Sequence, residues 1–184
     1  MIKLLSAMLN TVITILLLGA TSLRCVGGGD IKPEILNYIK KQSGYTEISF
    51  ATKPIPFNIS STAENILSEK YIKGFSYNKG AIVQEEQSTV TKVEDSLKAL
   101  SLKLNNLCIQ KYSESLPQIK KENNSYILFL TPVCSGIVYA ELINSASIIV
   151  SNNQYEFFGE AKTFVFLIDD NTIKQVYTGS IVYN

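Results

Sequence analysis

The sequence predicts an α+β fold, with a helical first half packed on a C-terminal antiparallel sheet of about four to six strands. Two observations carry this. Val90, Val93, Leu97, Leu100, Leu104 and Leu107 recur at alternating spacings of three and four, which places them on one stripe of a long helix. After Tyr126 the chain turns to segments rich in Ile, Val, Tyr and Phe, separated by spacers of Gly, Ser and Asn. Helices first and consecutive strands afterwards give one domain over 31–184, preceded by a signal segment (1–24) and a glycine-rich tether (25–30).

At the N-terminus, Lys3 precedes a mostly apolar run from Leu4 to Ala20, the charged and apolar regions of an export signal. The junction reads Thr21-Ser22-Leu23-Arg24-Cys25 and leads into Gly27-Gly28-Gly29. Over these first residues the chain resembles a bacterial lipoprotein signal peptide. That resemblance implies lipidation of Cys25 as the first mature residue and a membrane-anchored protein facing the periplasm or cell exterior. Ala20 and Ser22 also give the small-x-small pattern of ordinary cleavage after Ser22, which implies a secreted protein instead. The chain has three cysteines, an odd number for an exported protein, and lipidation of Cys25 leaves Cys108 and Cys134 as an even pair for a disulfide. Two buried free thiols are the alternative.

In the domain, Pro33 suits a first helical turn, Ile31, Ile35, Tyr38 and Ile39 share a face, and Gly44 ends a helix begun near Lys32. Tyr45 to Ala51 reads as a short strand, and Pro54 and Pro56 break regular structure after it. Ser61 and Glu64 have capping-box spacing for a helix running to about Lys73, with Gly74 as its stop. Thr91 and Glu94 form a second such pair at the start of the long helix, which should lie on the sheet and stop by Pro117. The strands expected are Tyr126–Leu130, Ile137–Ile143, Tyr155–Phe158, Thr163–Ile168 and Ile173–Tyr183. Asp169-Asp170-Asn171-Thr172 should turn the last two into a hairpin.

Composition excludes several chemistries. The chain contains no histidine, which removes the usual neutral-pH base, Ser-His and Cys-His nucleophile systems and imidazole metal sites. Scattered cysteines without a C-x-x-C pair make no zinc site, so neither a metal nor another cofactor is implied. Lys3 and Arg24 are two of the 17 basic residues, and the remainder is nearly balanced against 16 acidic ones, with no basic footprint for nucleic acid.

What remains points to a non-catalytic, envelope-tethered binding or assembly module, its partners being the membrane through an N-terminal lipid and a small apolar ligand or an envelope protein. A pocket between a curved sheet and the long helix would hold such a ligand. The first alternative is a small enzyme using a carboxylate pair drawn from Glu141, Glu156, Glu160, Asp169 and Asp170. The second rests on Gln175-Val-Tyr-Thr-Gly179, which resembles the Q-x-V-x-G loop of cystatin-type protease inhibitors and implies an exposed inhibitory loop.

Overall fold

In a computed structural model the described residues are 25–26, 31–51, 55–77, 84–108, 125–151 and 154–184, with only the backbone of Cys25, Val26, Gln84, Glu85, Cys108 and Gln154. The architecture is α+β, with a mostly antiparallel sheet. In chain order the elements are β1 (Cys25–Val26), α1 (Lys32–Ser43), β2 (Ile48–Phe50), a 3₁₀ turn (Ile59–Thr62), α2 (Ala63–Lys70) and α3 (Gln84–Cys108). There follow β3 (Tyr126–Leu130), β4 (Val133–Cys134), β5 (Ile137–Asn144), a second 3₁₀ turn (Ser145–Ser147), β6 (Ile148–Ser151), β7 (Gln154–Phe157), β8 (Gly159–Asp169) and β9 (Thr172–Tyr183).

The main sheet runs β2-β3-β5-β8-β9, with β4 and then β1 continuing beside the start of β5. All its pairings are antiparallel except β2 with β3. The expected C-terminal hairpin is present: Asp169 pairs with Thr172, and Asp170 and Asn171 both take left-handed backbone angles, the turn whose twist matches the flanking strands. Ser135 and Gly136 repeat the device between β4 and β5. There a side chain at Gly136 would stand 2.7 Å from the Ile168 carbonyl oxygen, so only glycine fits. β6 and β7 form a separate two-stranded ribbon.

Each face of the main sheet has its own core. Helix α1 with its N-cap residue covers one face through Ile31, Ile35 and Ile39, which meet Leu128, Val138, Ala140, Leu142, Phe164 and Phe166. It begins with Pro33 in its first turn and ends at Gly44, whose left-handed angle lets its N–H close on the Lys40 carbonyl. The opposite face, lined by Ile127, Phe129, Tyr139, Val165 and Tyr177, lies under the 3₁₀ turn, α2, α3 and the β6–β7 ribbon. β5 is covered on both sides, which is why Ile137 to Ile143 are all buried and show no alternation.

The stripe of α3 faces this second core through Val90, Val93, Leu97 and Leu104, each at most 4% exposed, while Leu107 is largely exposed. The first half is not purely helical, because β1 and β2 extend the sheet. Both capping boxes are corrected. Thr91 lies inside α3 and donates to the Gln87 carbonyl, and Glu94 accepts from Tyr77. Ser61 sits in the 3₁₀ turn and donates to Asn58 O (2.8 Å), with no side-chain cap on α2.

Candidate functional site

At the centre of the second face, three strands place Glu141 of β5, Thr163 of β8 and Gly179 of β9 in one cross-strand row. Glu141 is 3% exposed in an otherwise apolar strand, and no described cation is paired with it. Its two oxygens are instead held by two phenols: Tyr139 OH donates to Oε1 (2.6 Å) and Tyr183 OH to Oε2 (2.6 Å). Tyr139 is two residues away on the same strand, so the pleat points both side chains the same way. Tyr183 reaches across β8 from the end of β9.

Burial raises the Glu141 carboxyl above its usual range, against the opposing pull of the two phenol hydrogen bonds. Burial also raises both phenols, and the carboxylate beside them adds to it. Both phenols therefore keep their protons.

The row continues towards solvent. Ser61 Oγ lies 3.0 Å from Thr163 Oγ1 and 3.5 Å from Tyr139 OH. The 3₁₀ turn that carries it is fixed by α3, where Ser101 Oγ accepts the Ile59 N–H (3.0 Å) and Asn105 pairs with both backbone groups of Phe57. Gly179 permits the approach: a Cβ there would lie 2.1 Å from the Ser61 carbonyl oxygen.

Ser61, Thr163 and Gly179 form part of the floor of an open cleft of about 890 Å³ along the β9 edge, between the end of α1 and the 3₁₀ turn with α2. Its walls carry the hydroxyls of Ser43, Ser60, Ser68, Thr178 and Ser180, the carboxylates of Glu64, Glu94 and Glu160, and the edge-on rings of Phe75 and Tyr77. Among the described residues the cation on this wall is Lys162, and its Nζ lies over the Tyr45 ring at 5.0 Å from the centroid. Burial and the Glu94 hydrogen bond push the Tyr77 phenol up.

Chemically, Ser61 has hydroxyl and carbonyl neighbours and, among the described residues, no base. The nearest titratable group is Tyr139, whose raised phenol keeps its own proton and cannot accept one from a serine.

Of the five candidate acids, Glu160 lines the cleft and Glu141 lies buried behind it. Alternation along β8 puts Glu160 on the α1 face and Thr163, the cross-strand neighbour of Glu141, on the other, so the two carboxylates do not converge. Asp169 and Asp170 are at the β8–β9 turn, and Glu156 is on β7. Gln175 to Gly179 is no loop: it lies within β9, with Tyr177 in the core and Gly179 against Ser61. Val90, Val93, Leu97 and Leu104 of α3 share the second core with Ile127, Phe129, Tyr139 and Val165 of the sheet.

Cys134 is buried and disulfide-bonded, while the side chains of Cys25 and Cys108 lie outside the described residues. The backbone register sets Cys25 directly opposite Cys134. Among the described residues no group of three or more His, Cys, Asp or Glu could hold a metal, and no helix is long and apolar enough to cross a membrane.

The sequence signal for the buried row was Glu141 itself, a charge inside an apolar strand. Ser61, Tyr139, Thr163, Gly179 and Tyr183 carry no such mark, because their roles come from strand register and a close backbone approach. Searches of protein families, curated proteins and solved structures find nothing that matches the chain.

Proposed function

We propose that this chain is an exported, non-catalytic binding module whose ligand site is the cleft beside β9. The observation behind the reading is the state of the cleft floor: Ser61 and Thr163 are tied to each other and to a proton-holding phenol, with no base against them. Ser61 and the wall hydroxyls of Ser43, Ser60, Ser68, Thr178 and Ser180 offer donors and acceptors to a ligand, and among the described residues the floor itself carries no group poised for proton transfer. The polar walls call for a polar ligand in place of the small apolar one that composition alone pointed to.

Amide-resolved NMR titration of the mature chain with a panel of sugars, peptides, nucleotides and lipids tests it. Shifts clustered at Ser43, Ser60, Ser68, Thr178 and Ser180, with every ligand recovered intact, are the expected result. Turnover of a ligand, or shifts clustered away from the cleft, overturns it.

For localisation, the signal supports an envelope anchor through a lipid on Cys25. A thioether on Cys25 requires Cys108 to be the partner of Cys134, a helix-to-strand disulfide that closes a long loop. The backbone register favours a second reading. Directly opposed residues of an antiparallel pair have Cα atoms about 4.5–5.5 Å apart, inside the range a disulfide needs, so Cys25 is placed to bond Cys134. That bond excludes the lipid and favours the alternative of cleavage after Ser22 and secretion. Intact mass with a non-reducing peptide map decides between them. A diacyl or triacyl adduct with a Cys108–Cys134 peptide gives the anchored form, and a Cys25–Cys134 peptide on an unmodified chain gives the secreted one.

A further inference from the structure

We propose that the distal edge of β9, together with the cleft, is a docking groove in which an extended, lysine- or arginine-bearing segment of a partner protein adds as a further strand. This rests on the binding-module reading above and names its occupant.

The strand edge is open in a defined stretch. Asn65 Oδ1 of α2 accepts the Thr178 N–H (3.0 Å), so the backbone of Thr178 faces away from β8. In an antiparallel ladder that orientation repeats at every second residue, so the N–H and C=O groups of Ser180 and Val182 face outward too. Helix α2 covers the edge as far as Thr178, with Glu69 also accepting from the Gln175 side chain (3.1 Å). Beyond it, among the described residues, no hydrogen bond is found to the outward backbone groups of Ser180 and Val182.

Proteins commonly protect such edges with Lys, Pro, a bulge or a very short strand. The other edge of the sheet obeys this: β2 has three residues. Ser180-Ile181-Val182-Tyr183 contains no charge and no proline, the register shift in the β8–β9 pair lies at Leu167/Ile168 at the far end, and Val182 is 66% exposed.

The charge of the groove selects the occupant. Glu64, Glu94 and Glu160 line it against Lys162, which is held over Tyr45. Side chains of an added strand alternate between the two faces, and long basic side chains on the α1 face would extend across β9 towards Glu160, which is the register partner of Val182 on β8. Basic residues complement these acids. A second copy pairing β9 with β9 would bring the same acidic walls together, and acidic segments would be repelled.

The test uses the mature chain and three defined probes: a blocked nonapeptide alternating Lys and Val, its Glu/Val counterpart, and Lys/Val peptides N-methylated on one or the other alternate set of amides. The Lys/Val peptide should shift the Ser180 and Val182 amides and slow their hydrogen exchange at least about tenfold. The Glu/Val peptide and one of the two N-methylated forms should bind at least about tenfold more weakly. Val182→Pro removes an outward N–H without touching the β8 ladder and should cost about tenfold in affinity at unchanged thermal stability. Glu64→Gln with Glu160→Gln should lower affinity similarly and flatten its salt dependence.

Equal binding of both N-methylated forms overturns strand addition, and equal binding of the Glu/Val peptide overturns the charge selection. Concentration-dependent dimerisation that protects the Ser180 and Val182 amides without peptide makes a second copy the occupant. Absence of peptide binding while another ligand class shifts the cleft amides sinks this inference and leaves the binding-module reading standing.

Discussion

Helix α1 closes one face of the sheet with isoleucines on a floor of Leu, Val, Ala and Phe, and among the described residues no charged group is buried there. The other face is larger and more varied, with a 3₁₀ turn, two helices and a two-stranded ribbon, and at its centre it buries Glu141, Tyr139 and Thr163. The two faces share the same strands, so the difference comes from which residues the pleat turns each way. A dry apolar face needs only volume and pattern, whereas the polar face needs every donor and acceptor placed. The first is the scaffold and the second holds the cleft floor.

The largest effect should come from the dry face. Phe166 is fully buried, with the Tyr38 ring edge-on at 5.6 Å, and Phe166→Ala should lower unfolding free energy by about 4 kcal/mol in urea denaturation. A loss under about 1 kcal/mol would mean that α1 adds little to the fold and that the contrast between faces is misdrawn.

On the polar face, Glu141→Ala leaves two phenol hydroxyls without their acceptor and opens a void, with an expected loss of about 3 kcal/mol. The sharper version changes all three groups. Glu141→Leu with Tyr139→Phe and Tyr183→Phe should be substantially more stable than Glu141→Ala, because an apolar replacement of a whole network strands no partner. If the triple variant is as unstable as the single one, the cost lies in the shape of the core rather than in its polar pairing.

Gly179→Ala probes the contact between this face and the cleft. The added methyl meets the Ser61 carbonyl, so the 3₁₀ turn or β9 must shift, at a cost of about 2 kcal/mol. NMR shifts should concentrate at Ser60, Ser61 and Thr163. A spread over α1 instead would show that the faces are not mechanically separate.

The same contrast explains what was legible in the sequence. Periodicity found α1, the α3 stripe and the long strands, because burial of one helix face or of a whole strand writes itself into local spacing. The Asp170-Asn171 turn was legible for a similar reason, since left-handed angles restrict residue choice. The β4 and β6 strands were missed because each is short, β4 being two residues between Pro132 and the Ser135-Gly136 turn and β6 four residues between serine- and asparagine-rich flanks. The capping boxes misled: Ser61 and Thr91 have the right spacing, but Ser61 is recruited by Asn58 and Thr163 and Thr91 falls inside a longer helix. Glu141 was legible only as one of five acids that could supply a carboxylate pair. Its partners were not legible, because Tyr183 and Thr163 meet it only through the β5-β8-β9 register.

The smallest expected effect separates the faces by pH. Burial lifts the folded-state pKa of Glu141 above the ordinary carboxylate value of 4.5, so between those values the native state binds more protons than the unfolded chain. Its contribution to stability is therefore fully present below the ordinary value and lost as pH rises through the raised one. Glu141→Gln has no proton to exchange and removes that slope. Urea denaturation of both proteins between pH 4 and 7 should show the unmodified chain losing stability relative to Glu141→Gln as pH rises. Phe166→Ala, on the face without a buried charge, should leave the slope unchanged. The opposite sign, with the unmodified chain gaining on Glu141→Gln, would mean that the hydrogen bonds from Tyr139 and Tyr183 outweigh burial and hold the group as a carboxylate. The polar face would then be an anion clamp made of two phenols, and the cleft floor above it would sit over a fixed negative charge.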